Sequence, residues 1–397
     1  MALPTSGTIS IKDVQDEFSP TGGTGGPGIK FSEYYRNGTI IGSDVVGGSI
    51  PNSGGAGTIS LSQFHGAMDY RTLTIGGGDA ENVNLRSMAD SKIGGSGVTN
   101  PTVVTIDSGS RFYATNDFNP NDIDASYGAR TGTWPSQVKF INKGLILGKG
   151  GYGGDGGGLY SNGPSRAPLP GGAGLFIDSN SNTVSWQNTE NGAVAGGGGG
   201  GGNGTSPGYS SGENVVSGGG GGAGGGQGGK GSRDNAQTGR ASGGGIGSAG
   251  ADGTNIGGRT TGAADDVQGL GGGAGGGGGG HDVERSKERE VIKSSGGGGG
   301  GGGRIVTFNS SKNIDGGTGG GCAGPGGGSG GTGTGGGGNR TEVGGDGGGA
   351  PGAGGGGGWG AGGGSSDSIS GAGGGKAIEL NGQTLSVTGK NYPGGVS

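Results

Sequence analysis

The chain has 397 residues, of which 125 are glycine and 26% are hydrophobic, and its formal charge is -5. That thin acidic balance excludes the basic face a nucleic-acid partner demands, and one cysteine, Cys322, excludes an intrachain disulfide. Two histidines, His65 and His281, lie far apart and support no His/Cys metal cluster.

The first residues, MALPTSGTISIKDVQDEF, lack the basic start and apolar stretch of a secretion signal. No window of about 18 consecutive apolar residues is long enough to span a bilayer. A soluble protein made in a cytoplasm is therefore expected.

Three related segments occur within residues 1–68: TISIKDVQ (8–15), GIKFSEYY (28–35) and TISLSQFH (58–65). Their apolar positions align as Ile9, Ile29 and Ile59, then Ile11, Phe31 and Leu61, then Val14, Tyr34 and Phe64. Alternation followed by a spacing of three predicts a short strand entering one helical turn, with Ser32 and Ser62 placed to cap it. Each unit is too short to bury its own apolar face, so the three should pack together or onto a partner. The stretch MALPTSGTIS…FSEYYR…GTISLSQFHGA resembles the N-terminal segments of many phage tail and virion structural proteins. That resemblance implies an attachment module in which Ile11, Phe31, Tyr34, Leu61 and Phe64 contact other tail or baseplate proteins. A small self-contained domain is the alternative.

Residues 69–147 carry ordinary side chains and predict a β-rich middle domain. TLTI (72–75) and TVVTI (102–106) alternate as half-buried strands. Residues 79–93 place Val83, Leu85, Met88 and Ile93 at helical spacing, with Asp79 as the cap. SQVKFINKGLILG (136–148) reads as a strand, a tight corner at Asn142-Lys143-Gly144 and a second strand. This order, leading into VKFINKGLILGKGGYGGDGG, is similar to regions near the C-termini of phage host-specificity tail proteins, although Lys143 separates Asn142 from Gly144.

From residue 148 onward roughly two residues in five are glycine, against a usual ~7%. Disorder and a flexible spacer are two readings of such composition. Collagen fails, because long glycine runs break the period of three. The fourth reading is a bundle of polyglycine II helices, which make no internal hydrogen bonds and must pair every N–H and C=O sideways. Repeated runs of 8–14 residues span about 25–43 Å in that form, a plausible slab thickness, and a mere spacer needs no such repetition. The reading predicts that alanines fit at the margin and that large residues do not fit inside. The fold class is thus mainly β and irregular, with a C-terminal polyglycine II sandwich over 148–397.

Polar inserts interrupt the runs. AIELNGQTLSV (377–387) carries a hairpin signal at Asn381-Gly382, and HDVERSKEREVIK (281–293) reads as a solvated short helix or hairpin. The layout resembles glycine-rich adhesins at phage long-tail-fibre tips. It implies loops that recognise a bacterial surface receptor, an outer-membrane protein or a polysaccharide, on a chain carried in the virion tail. If successive runs alternate in direction, inserts 159–170, 205–217, 251–268 and 304–315 are distal and the others near. Tyr160, Tyr209 and Phe308 are then candidate aromatic anchors, and Arg166, Arg259 and Asn309 candidate polar contacts.

No nucleophile–base constellation is present, and the acidic pair Asp265-Asp266 has no second carboxylate cluster, so neither an enzyme nor a cofactor is expected. GxGxxG matches mean nothing in such runs. A purely structural tail component remains the alternative function, and an ice-binding protein a third that would need regular threonine ladders. A homotrimer and a solitary bundle are both compatible with the sequence.

Overall fold

The structure, a computed structural model, describes residues 3–4, 6–10, 13–14, 50, 59–65, 71–93, 102–115, 127–156, 166–179, 184–189, 192–205, 215–233, 236–253, 255–256, 276, 281–285, 292–297, 302–304, 306–308, 314–315, 353–366 and 369–397.

At the N-terminus, Leu3, Ile9, Val14, Ile50 and Phe64 form a small core against which Ile59 and Leu61 pack. The first and third repeats therefore bury their apolar residues together. The cap of the third repeat is Ser60, two positions before the expected Ser62, and Ser10 takes the equivalent place in the first. Ser10 exchanges bonds with Asp13, N–H to Oδ2 at 2.8 Å and the Asp13 N–H to Oγ at 3.2 Å. Ser60 precedes the tight helical turn Leu61–Phe64, and its N–H donates to Gln63 Oε1 at 2.8 Å. The operative signal was serine followed three residues later by Asp or Gln, a reciprocal capping box. The second repeat and Ile11 lie outside the described residues.

The next elements follow in chain order: β1 (Arg71–Ile75), β2 (Asp79–Glu81), β3 (Val83–Asn84), α1 (Leu85–Lys92), β4 (Thr102–Ile106), β5 (Arg111–Tyr113), β6 (Ala129–Arg130), β7 (Val138–Asn142), β8 (Leu145–Leu147), β9 (Leu175–Phe176), β10 (Val184–Asn188) and β11 (Ala193–Ala195). Near the C-terminal end come β21 (Ile378–Glu379) and β22 (Leu385–Thr388); β12–β20, in the glycine-rich part, are given below. All of these strands pair in parallel, and the chain visits three faces in turn: β1-β4-β7-β10-β22, β2-β5-β8-β11 and β3-β6-β9-β21. The result is a three-faced solenoid in which each coil stacks on the one before.

Inward residues stack in register, as in Leu73–Val104–Phe140–Trp186–Val387 along the first face. Phe140 meets Trp134 edge-on at 5.6 Å and Trp186 at 5.1 Å. Where the first face turns into the second, Asn142 donates through Nδ2 to Asn188 Oδ1 at 2.9 Å. Asn188 Nδ2 donates in turn to the Lys390 carbonyl at 2.8 Å. The corner read at 142–144 is thus a polar ladder between coils.

Two expectations need correction. The cap of α1 is Asn84, whose Oδ1 accepts the Ser87 N–H at 3.1 Å. Asp79 instead sits in β2 and pairs with Arg111 on β5 at 2.5 Å. The helix starts late because Asn82, at φ 48, first turns the chain into β3. Second, Asn381 (φ 48) and Gly382 (φ 73) do make a tight turn, but the strands beside it belong to different faces of the solenoid and do not pair as a hairpin. The sequence divides at 147/148, yet β9–β11, β21 and β22 complete sheets begun before that point. Their partners were already in place, so strands of two residues suffice.

The crossing from second to third face sets the architecture. In the first coil Asn82 alone makes it; in the second, residues 114–128 do. In the third coil the crossing expands to 148–174, and in the fourth to 196–377. The glycine-rich region is therefore two excursions from one corner of the solenoid.

Within these excursions the backbone pairs laterally. Along 196–202, the amides of Gly197 and Gly200 donate to Gly172 and Leu169, and those of Gly198 and Gly201 to Ala223 and Gly220. Those of Gly199 and Gly202 donate to Ala361 and Gly364. The carbonyls repeat the pattern, receiving from Gly151 and Gly154, from Gly375 and Ala372, and from Gly357 and Gly354. Each neighbour recurs every third residue. No side chain fits between them: a Cβ on Gly200 would stand 1.7 Å from the Tyr152 carbonyl oxygen.

Candidate functional site

The hydrogen-bonded pairs fix the direction of each segment. Residues 148–156 and 196–203 run away from the solenoid, while 169–174 and 218–223 return. Gly224 and Gly225, at φ 99 and 77, reverse the chain so that 226–231 runs outward again. Residues 353–358 return, 361–365 go outward and 371–375 come back. A near end at the solenoid and a far end opposite it follow.

At the near end, Leu147, Ala195, Ala223 and Trp359 form an apolar pad, with Tyr113, Leu145, Ile246 and Val306 against it. Arg304 fastens this joint. It donates from Nη2 to the Ala114 carbonyl of the solenoid at 3.0 Å and from Nη1 to the Gly244 carbonyl of the excursion at 3.1 Å. Its guanidinium lies 5.3 Å from the centre of the Tyr113 ring. Burial weakens the hold of Arg304 on its proton, and burial together with the hydrogen bond to Glu81 raises the Tyr113 hydroxyl.

The far end has the chemistry of a surface. The four strands β12 (Gly204–Thr205), β13 (Val215–Ser217), β14 (Ser232–Arg233) and β15 (Ala236–Gln237) form an antiparallel sheet there. Beside it lies a second sheet of β16 (Asn255–Ile256), β17 (His281–Arg285) and β18 (Ile292–Gly297). The HDVER segment is thus one arm of a strand pair, not a helix. The short pair β19 (Thr307–Phe308) and β20 (Ile314–Asp315) follows in the chain.

Where the outward segment 148–156 reaches this end, Tyr152 is buried between two arginines. Arg166 lies 5.5 Å and Arg240 5.8 Å from its ring centre. Asp155 pairs with Arg240 and accepts the Lys230 N–H at 2.9 Å. A main-chain bridge joins Asp155 to Arg166. This knot closes the first excursion and ties it to the second.

The family of phage tail fibre adhesin Gp38 matches residues 70–294, more than half of the sequence. The chain belongs to this family of phage tail fibre adhesins. It is accordingly a component of the phage tail, in a family whose role is adhesion. No curated protein matches it. A solved structure, the crystal structure of the gp37-gp38 adhesin tip complex of the bacteriophage S16 long tail fiber, aligns over 86% of this chain and 87% of that one. At 16% identity and a TM-score of 0.27 the likeness is too loose to carry an argument.

Of the residues singled out in the adhesin's sequence, Arg166 stands at the far end, exposed, with its guanidinium over Tyr152. Tyr160, Tyr209, Arg259 and Asn309 lie outside the described residues, as do Phe31 and Tyr34. Leu61 and Phe64 belong to the N-terminal core. Phe308 falls in β19, a few residues after Arg304 and Val306, which sit at the near end. That insert therefore starts beside the solenoid, not at the far end. Conversely β14 and β15, in an insert assigned to the near end, are distal. The placement of β14 and β15 has one cause: run 218–231 is folded in two at Gly224–Gly225, so an outward segment leads into them.

Sequence reasoning also missed Tyr152 and Asp155, because large residues were expected to stay outside the glycine runs, and Arg240, because its insert was assigned to the near end. Tyr152 and Asp155 are buried within one, as is Lys149, whose Nζ reaches the Thr115 carbonyl at 2.9 Å. Their run borders the solenoid and the short return segment, so part of its circumference faces side chains. The usable signal was a charged or aromatic residue interrupting otherwise pure glycine.

Proposed function

We propose that this adhesin recognises a receptor on the host cell surface through the segments at its far end, displayed on a lattice of polyglycine II helices. The observation that carries the reading is the period of three in the lateral hydrogen bonds of 196–202. A three-residue helix without internal bonds directs successive amides to neighbours about a third of a turn apart. Such a lattice gives loops a rigid base without an oily core. The N-terminal segment 1–68, held together by the core around Phe64 and Leu61, ties the adhesin to other tail proteins. No catalysis is assigned to it; the function is binding, to an outer-membrane protein or a polysaccharide.

The test exchanges residues 206–214, between β12 and β13, for those of an adhesin with a different host. Altered host range with an unchanged melting temperature is the expected result. Adsorption that persists after removal of the far-end segments would instead mean that the glycine region is only a spacer.

A further inference from the structure

At the level where the glycine lattice gives way to the far-end sheet, Asn203 is 1% exposed. Its carbonyl accepts the Ser366 Oγ–H at 2.7 Å, and Gly204, the next residue, pairs with Ser217 across β12 and β13. Its side-chain amide is not. Among the described residues neither Oδ1 nor Nδ2 finds a hydrogen-bond partner, and the buried Ser217 Oγ finds none either. Asn203 stands beside Gly154, whose added Cβ would meet its Oδ1 at 2.9 Å, and Ser217 lies opposite the adjoining Gly204. A buried polar group left unpaired is destabilising, and here three atoms on neighbouring segments share the condition. Elsewhere in the lattice, amide after amide is paired.

We infer that Asn203 and Ser217 form an internal hydration site. A ligand for it must accept from Nδ2 and donate to Oδ1, and it must be small enough to be enclosed by backbone. Water meets all three demands, and interior waters are held by two to four such groups. An apolar residue at 203 would leave the lattice intact and remove the binder. The water bridges Asn203, the last residue of an outward segment, to Ser217, which leads into a returning one, and so fixes how the β12–β13 segment leaves its base. This inference stands apart from the receptor reading, since it concerns the floor of the far end and not its surface.

The deciding experiment is a crystal structure of the full chain at a resolution that displays ordered solvent. Density within hydrogen-bond distance of both Asn203 Oδ1 and Nδ2 is expected. A dry cavity, or an Asn203 amide rotated onto protein partners, overturns the site. Thermal unfolding of Asn203→Leu is an independent measure. With water bound in the parent, the variant loses its bridges and melts a few degrees lower. Without water, deleting unpaired polar atoms raises the melting temperature and overturns the site. If the variant does not fold, the crystallographic result on the parent chain decides alone.

Discussion

Individual glycines in this adhesin differ sharply in what they tolerate. A Cβ on Gly200 would stand 1.7 Å from a main-chain oxygen, whereas one on Gly373 meets nothing within 4 Å. Gly200→Ala should therefore destabilise by at least about 1–3 kcal/mol, the range for overpacking a filled interior. Gly373→Ala should be neutral or stabilising by about 0.4–1 kcal/mol, because it restricts the unfolded chain. Thermal denaturation of the matched pair checks both, and equal effects would contradict the lattice. Tyr392 offers a second residue-scale measurement. Burial pushes its hydroxyl up to about 12, from an ordinary value of 10.0. The folded state then holds a proton that the unfolded state has lost. This contribution is complete below pH 10 and is lost as the pH rises through about 12. A spectrophotometric titration of Tyr392→Phe should lose one late-ionising tyrosine and keep that of Tyr113, which is also raised.

At the scale of elements, the asparagine ladder and the Arg304 joint make separable contributions. Asn142→Ala leaves the Asn188 Oδ1 and the Gly144 N–H without one of their partners and should cost about 1–3 kcal/mol, read as a lower midpoint in denaturant. Arg304→Ala acts differently. It should speed deuterium uptake at 244–248 and 302–304 while leaving β1, β4 and β7 protected, since those strands do not depend on the joint. Uniform loosening would mean that solenoid and excursion unfold as one unit. These elements also mark the limits of sequence reading. TLTI, TVVTI and VKFIN announce themselves by alternation, and the 142–144 corner by its asparagine and glycine. Leu175–Phe176 and Ile378–Glu379 do not, because a two-residue strand is specified by partners far away in the chain. The reversal at Gly224–Gly225 is invisible for another reason: polyglycine can turn anywhere without changing composition. Of the far-end site, Arg166 was readable from its place in an insert. Tyr152, Asp155 and Arg240 meet only once two excursions are folded together.

Across the whole molecule, the solenoid supplies an apolar interior and the excursions supply none, so their resistance to exchange should have different origins. In the solenoid, protection comes from buried side chains such as Trp186 and Phe140; in 196–202 it comes from paired amides alone. Substitution of core aromatics should lower the protection of both regions, because the lattice is rooted in the coils. Disrupting the lattice by Gly200→Ala should leave β1, β4 and β7 protected. Hydrogen exchange on the two variants tests that asymmetry.

Both excursions depart from the end of a second-face strand and must arrive at the start of a third-face strand on the same corner. An outing that begins and finishes on one side contains as many outbound rods as inbound ones. The first has one of each, 148–156 and 166–174. Lineages of this adhesin are therefore free to lengthen or shorten the assembly by whole round trips, and a single added rod would strand the chain on the wrong side. Variation in size should come in twos.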